Sequence, residues 1–127
     1  MKNFSSSWNS SKKPRKQRKY RATAPLHVKQ KLTHAHLSKE LRSKHKMRSI
    51  GIRKGDKVKI MRGRFRKHEG KVDIVDLKKT RVFVSGAEST KKDGTKRQIP
   101  QHPSNLLVLE LNMDDKLRQK FLEAKNE

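Results

Sequence analysis

Positive charge is the constraint that any fold of this chain must satisfy first. Lys and Arg number 35 against 12 Asp and Glu, a formal net charge of +23 over 127 residues. The excess is uneven. Residues 1–50 carry fifteen cations and one acid (Glu40), residues 51–110 carry sixteen and seven, and residues 111–127 carry four of each. The three regions therefore hold +14, +9 and no net charge. Such a density repels itself unless a polyanion screens it. The first expectation is therefore a soluble intracellular binder of nucleic acid, built as one small domain with a basic tail.

Several classes drop out at once. With no Cys there is no disulfide scaffold, no thiolate metal site and no cysteine nucleophile. The longest aliphatic run, Leu106 to Leu109, is far short of the roughly 20 residues a membrane span needs. Met1 to Ser10 has no apolar core, so neither a secretory signal nor a membrane span is expected. No catalytic constellation is visible: Ser85-Gly86 has no base at a suggestive spacing, and Asp73 and Asp76 fall along one strand. Six histidines (His27, His34, His36, His45, His68, His102) invite a metal reading, above all His34-x-His36. With only Glu40 nearby the ligand count is poor. Neither an enzyme, a metal nor a cofactor is expected, and hydrogen bonding to RNA suits the histidines better.

Within the first region, Lys12 to Arg21 reads KKPRKQRKYR, with Tyr20 the one aromatic among cations. One reading is a solvated basic tail or a localisation signal. The sharper one is an extended arm laid along phosphates by Lys12, Lys13, Arg15, Lys16, Arg18, Lys19 and Arg21, with Tyr20 stacking on a base or sugar. Few apolar side chains follow, so residues 1–50 should order fully only against a partner. Two short helices are expected there: Pro25 suits the first turn before Leu26–Leu32, and Ser38 can cap Lys39–Lys46 with Leu41 inward.

From Asp56 the hydrophobic pattern switches to period two, the mark of half-buried strands. Val58 and Ile60 define one strand. Gly70 to Val75 makes a second, with Val72 and Ile74 on one face, and Thr80 to Ser85 a third, with Val82 and Val84 inward and Phe83 outward. Asp93-Gly94 predicts a hairpin with positive φ at both central positions. It should lead to Thr95–Ile99, ended by Pro100, and Leu106 to Leu111 forms the last strand. Five short strands in about sixty residues predict a mainly β fold, a small antiparallel barrel. Asn112 or Asp114 can cap a closing helix over Lys116–Ala124, with Leu117 and Phe121 packed on the barrel. The end, Lys125 to Glu127, should fray. The resulting division is a basic N-terminal arm with short helices over 1–50, a barrel over 51–111 and a C-terminal helix over 112–127.

The densest signal is Lys54 to Val72, a strand, a basic loop, a glycine and a strand. Gly55 and Gly63 permit turns, and Gly70 allows close backbone approach. Arg62, Arg64, Arg66, Lys67 and His68 cluster on the loop, a geometry suited to gripping phosphates. This stretch resembles a KOW motif of SH3-like barrels. The flanks are similar to one family: Pro14 to Lys19, Ala24-Pro25-Leu26-His27, Leu37 to Arg42, His102-Pro103-Ser104-Asn105, and Leu109 to Asn112 followed by Asp114-Asp115. They resemble the archaeal and eukaryotic branch of the universal large-subunit ribosomal protein twenty-four family, over about Pro14 to Leu122. The short form and the Pro14–Lys19 run favour the archaeal side.

That resemblance implies a structural, cytoplasmic, ribosome-bound protein. Its implied partners are large-subunit ribosomal RNA near the 5′ domain, neighbouring ribosomal proteins, and nascent chain or targeting factors at the polypeptide exit, with a part in early subunit assembly. The RNA-facing residues would be the arm from Lys12 to Arg21 and the loop from Arg62 to His68, joined by Arg48 and Arg53 at the barrel entrance. The family commonly has glycine where this chain has Lys67; if the position is left-handed, the lysine costs roughly 1 kcal/mol, which an added phosphate contact would offset. The alternatives are a KOW-type transcription elongation factor, for which residues 1–50 are too basic and too short a companion domain, and a nucleic-acid packaging protein.

Overall fold

The computed structural model describes residues 4–8 and 10–124; the end expected to fray, Lys125 to Glu127, lies outside the described residues. Helices α1 (Pro14–Thr23) and α2 (Leu26–Leu32) lead to β1 (His34–Leu37), α3 (Lys39–His45) and β2 (Ser49–Gly51). Strands β3 (Lys57–Ile60), β4 (Glu69–Asp76), β5 (Arg81–Val84), β6 (Glu88–Thr90) and β7 (Lys96–Gln98) follow. A 3-10 turn (Pro103–Asn105), β8 (Leu106–Glu110) and α4 (Lys116–Glu123) complete the chain. The fold is mainly β, but no closed antiparallel barrel is found among the described residues. Six strands form one open mixed sheet in the order β2-β1-β8-β3-β4-β5, with β6 and β7 paired apart. The sheet is mixed because β1 lies parallel to β8, His36 opposite Leu107, and β2 returns antiparallel to β1.

The core is aliphatic. Val58, Ile60, Val72, Val82, Val84, Leu106 and Val108 from β3, β4, β5 and β8 are fully buried, and Leu122 of α4 joins the same cluster. Each such side chain contributes about 1.5–3 kcal/mol. Ala35, Leu37 and Ile50 join the same cluster, so β1 and β2 order against the protein itself. The two short helices fall where Pro25 and Ser38 place them, and the Ser38 hydroxyl accepts from the Leu41 N–H at 3.3 Å.

Three expectations are corrected by the packing. In β4, Val72 is buried whereas Ile74 is 54% exposed. The register shifts between them, Val72 facing Val84 and Ile74 facing Phe83, and a bulge of one residue exchanges the faces of everything after it. Val75 takes the inward place instead. In the Lys91–Thr95 hairpin only Gly94 has positive φ (85°). Gly94 N–H donates to Lys91 O at 3.1 Å and Lys91 N–H to Thr95 O at 2.9 Å, an ordinary turn closed by a glycine bulge. The Asp93 carboxylate takes Thr95 Oγ1 (2.7 Å) and its N–H (3.0 Å), which holds its pKa below the usual range.

The third correction concerns α4. Asp115, rather than Asn112 or Asp114, caps it through the Leu117 N–H at 2.8 Å. Leu117 and Phe121 point outward, 74% and 50% exposed, while Arg118 and Leu122 face in. Arg118 is 3% exposed and Asp56 0%. The guanidinium donates to both Asp56 oxygens, at 2.6 and 2.8 Å, and to the carbonyls of Asn112 (3.0 Å) and Gly51 (3.2 Å). Asp56 also accepts the N–H groups of Arg53 (2.9 Å) and Asn112 (2.8 Å). A two-pronged pair whose carboxylate oxygens and terminal guanidinium nitrogens all find partners, Arg118 Nε alone having none among the described residues, is a geometry in which buried charge is tolerated. It selects the inward face of α4 in place of the apolar pair.

Two expected outcomes follow from this packing. Arg118→Met should destabilise the fold by about 3–5 kcal/mol in denaturant unfolding, because Asp56 is left buried without a countercharge; Leu117→Ala should cost well under half of that. His45 is 5% exposed and its Nδ1 has no partner among the described residues. Burial, then the Lys44 charge, pushes its pKa down. Below the ordinary value of 6.5 the unfolded chain takes up a proton that the native site resists, so stability falls as pH drops through that range. The loss in denaturant midpoint between pH 7 and pH 5 should be smaller in His45→Gln.

Candidate nucleic-acid interface

The basic loop Met61–His68 joins β3 to β4, and its shape is held from both sides. At its base Ile60 N–H donates to His68 O and Lys67 N–H to Ile60 O, both at 2.8 Å. Two residues thus oppose one, the arrangement of a glycine-type bulge whose first residue is left-handed. Lys67 occupies that place with φ 73°. Within the loop, Arg66 N–H reaches Gly63 O (3.1 Å) and His68 N–H reaches Phe65 O (3.0 Å), while Gly63 turns at φ 88°.

Two side chains tether this loop to the body. Phe65 is half-buried and packs on the aliphatic core, with the Arg64 guanidinium 5.8 Å from its ring centre. The His68 ring lies 2.8 Å from Ser85 O, and since a carbonyl only accepts, Nε2 carries the proton. Gly70 and Gly86 make room: a Cβ on Gly70 would sit 2.6 Å from Ser85 O, and one on Gly86 2.8 Å from the His68 ring. The consequence is a division of labour. Arg62, Arg64, Arg66 and Lys67 stay exposed at the rim, and His68 is half-buried as an anchor.

The arm is a helix rather than an extended strand. Pro14 opens α1, where its fixed φ suits the first turn, and no residue of α1 is buried. Arg15, Arg18 and Arg21, three apart, line one side; Lys16 and Tyr20, four apart, lie on the other. Like charges at these spacings oppose a helix by a few tenths of a kcal/mol per pair, which a bound polyanion reverses. Tyr20 is half-buried, its ring 5.0 Å from that of Phe4 at 46°. Lys12 and Lys13 precede the helix and are exposed.

The structure does not gather these groups into one cluster. Lys29 Nζ donates to Ala22 O (3.4 Å) and Lys78 O (3.1 Å), pinning the end of α1 to the β4–β5 turn. Burial, with the charges of Arg81 and Arg21, lowers the pKa of His102 nearby. The basic loop begins at the other end of β4, roughly 23 Å away at 3.3 Å per residue. Arg48 is exposed at the entrance to β2, whereas the Arg53 guanidinium pairs with Asp115. Ion pairs among the described residues otherwise involve Lys57 with Glu110, Lys59 with Glu69, and Arg118 with Asp56. The cations of α1 and of the loop enter none of them. Among the described residues no three metal-ligating side chains converge, and no helix is long and apolar enough to cross a membrane. Phe65 and the Ser85 anchor escaped the sequence reading; the aromatic inside a basic loop was their one visible signal.

Comparison with known proteins identifies the family. A family model that describes ribosomal proteins, the eukaryotic L26 and its archaeal L24 counterpart, matches residues 11–125. The large ribosomal subunit protein uL24 of Methanosphaera stadtmanae is 51% identical over 115 residues, 91% of this chain and 98% of its own length. That of Methanothrix thermoacetophila is 49% identical over 111 residues, covering 87% and 96%.

The left-handed Lys67 carries a measurable outcome. Lys67→Gly should raise unfolding stability by about 1 kcal/mol, since glycine pays no Cβ penalty there; an unchanged or lower midpoint in denaturant would show that the backbone is not strained.

Proposed function

The chain belongs to the family of archaeal L24 and eukaryotic L26 ribosomal proteins, and from that premise we propose that it is a cytoplasmic structural constituent of the large ribosomal subunit that grips ribosomal RNA at two separate places. One is α1 with its leading lysines, through Lys12, Lys13, Arg15, Lys16, Arg18, Lys19 and Arg21, with Tyr20 beside them. The other is the loop that presents Arg62, Arg64, Arg66 and Lys67, with His68 setting its base. Arg48 and Arg53 lie between as lesser contacts. The observation that carries this reading is that these cations are exposed and enter no ion pair among the described residues, apart from Arg53. Neutralising phosphates releases counterions and supplies the affinity.

The finer reading follows the family resemblance: contact near the 5′ domain of the large-subunit RNA, an early part in assembly, and a place near the polypeptide exit. There the exposed Lys91–Thr95 hairpin would meet neighbouring proteins, nascent chain or targeting factors. The SH3-like reading of residues 51–111 rests on the same resemblance. The bridge between Val82 and Gln101, which extends the sheet beyond β5, supports it.

The test is a salt titration of binding to a folded 5′-domain RNA fragment, with duplex DNA of equal length as the rival. Changing Arg62, Arg64 and Arg66 together to Gln should flatten the log–log salt slope by about 2–3, and the parent should prefer the RNA. Equal affinity for duplex DNA would favour the packaging alternative, and an unchanged slope would take the loop off the phosphates.

A further inference from the structure

The first ten residues precede the segment that the family model matches, yet part of them is folded onto α1. The chain turns back through Trp8 N–H to Ser5 O (3.4 Å), and Gln17 Nε2 holds Ser11 O at 2.9 Å. This brings Phe4 against Tyr20 and sets Lys16 Nζ 4.8 Å from the centre of the Trp8 ring. Phe4, Trp8, Lys16, Lys19, Tyr20 and Thr23 line an open cleft.

Aromatic residues are scarce in this protein, one Trp, one Tyr and four Phe. Half of them meet in this cleft, while Phe65 alone packs against the core. Burial does not explain the arrangement, because Trp8 is 64% exposed. Tyr20 is packed against Phe4 and Lys16 lies over one face of Trp8, so the flat surface on offer is the remaining face of the exposed indole. Two lysines, Lys16 and Lys19, stand on its rim among uncharged serines and a threonine. An exposed π surface a few ångströms from ammonium groups matches a single unpaired nucleotide, the base stacked on the ring and its phosphate taken by a lysine. Within the reading of α1 as an RNA-binding helix, we propose that the Phe4–Trp8–Tyr20 cleft is a stacking site for one unpaired RNA base, with Trp8 as the platform and Lys16 and Lys19 as its phosphate partners.

Because Trp8 is the single tryptophan, the full chain carries its own reporter. Titration with a short oligouridylate should quench the indole fluorescence, whereas an abasic ribose-phosphate oligomer of equal length should bind more weakly and leave the emission unquenched. With a labelled oligouridylate read by anisotropy, Trp8→Leu should bind about 5- to 150-fold more weakly, and Trp8→Phe should recover most of that loss. Both variants alter an exposed side chain, so unfolding midpoints should match the parent. Equal quenching by the abasic oligomer, or unchanged affinity in Trp8→Leu, overturns the stacking site. If that happens while the loop variants still weaken RNA binding, phosphate gripping stands and only the base site falls. Failure of the parent to bind any of these RNAs removes both.

Discussion

The fold depends on a carboxylate and a guanidinium taken out of water together. Asp56 sits at the start of the β3 strand and Arg118 on the last helix, and between them they collect the ends of four segments. The Arg53 and Asn112 amides and the Gly51 and Asn112 carbonyls all point at the pair. In a protein with nearly three cations for each acid, almost any carboxylate would find a positive neighbour at the surface. This one is instead fully desolvated, and its placement decides which way α4 turns. A buried pair of this kind adds little over an apolar pair of equal volume. Its value here is directional: it admits one rotation of the helix and excludes the one that would put Leu117 inside.

The remaining charge is arranged by the opposite rule. The cations of α1 and of the β3–β4 loop are kept in solvent and away from acids, so their mutual repulsion is retained in the folded protein. The two sites manage that repulsion differently. In the loop, Phe65 and His68 fasten a short segment to the core, so four basic side chains are presented by a nearly fixed backbone. On α1 nothing is buried, and the helix is held by Pro14 at its start, by Lys29 at its end, and by the aromatic contacts of the folded-back N-terminus. One surface is preorganised and the other is conditional.

Much of this was legible in the residues. Ser38 before Leu41, alternating β-branched residues in β3 and β5, and glycine at Gly55, Gly63 and Gly70 are local signals, and local physics honours them. The clearest failures are cases where a distant partner outweighs the local pattern. Ile74 belongs with Val72 by period two, but the bulge opposite Phe83 moves it to solvent. Leu117 and Phe121 form the better apolar pair on α4, yet a charge 62 residues away claims the inward face. The arm reads as extended because its charges repel, and the helix forms because Pro14 and the aromatic contacts tip a close balance. No spacing rule exposes a parallel pairing of β1 with β8, since the two strands lie about seventy residues apart. At the candidate interface the cations of α1 and the loop are exposed, while His68 anchors the loop base and Arg53 is engaged by Asp115.

That parallel pairing has a consequence for how the molecule comes into being. His36 waits for Leu107, and Asp56 for Arg118. A chain elongating from its N-terminus therefore displays its most basic fifty residues, including one unfilled sheet edge, until almost the whole sequence has been made. Closing loops of this size raises the barrier to folding more than it lowers final stability. The nascent protein is thus an open polycation for most of its synthesis, and its last helix acts as the latch that ends that interval.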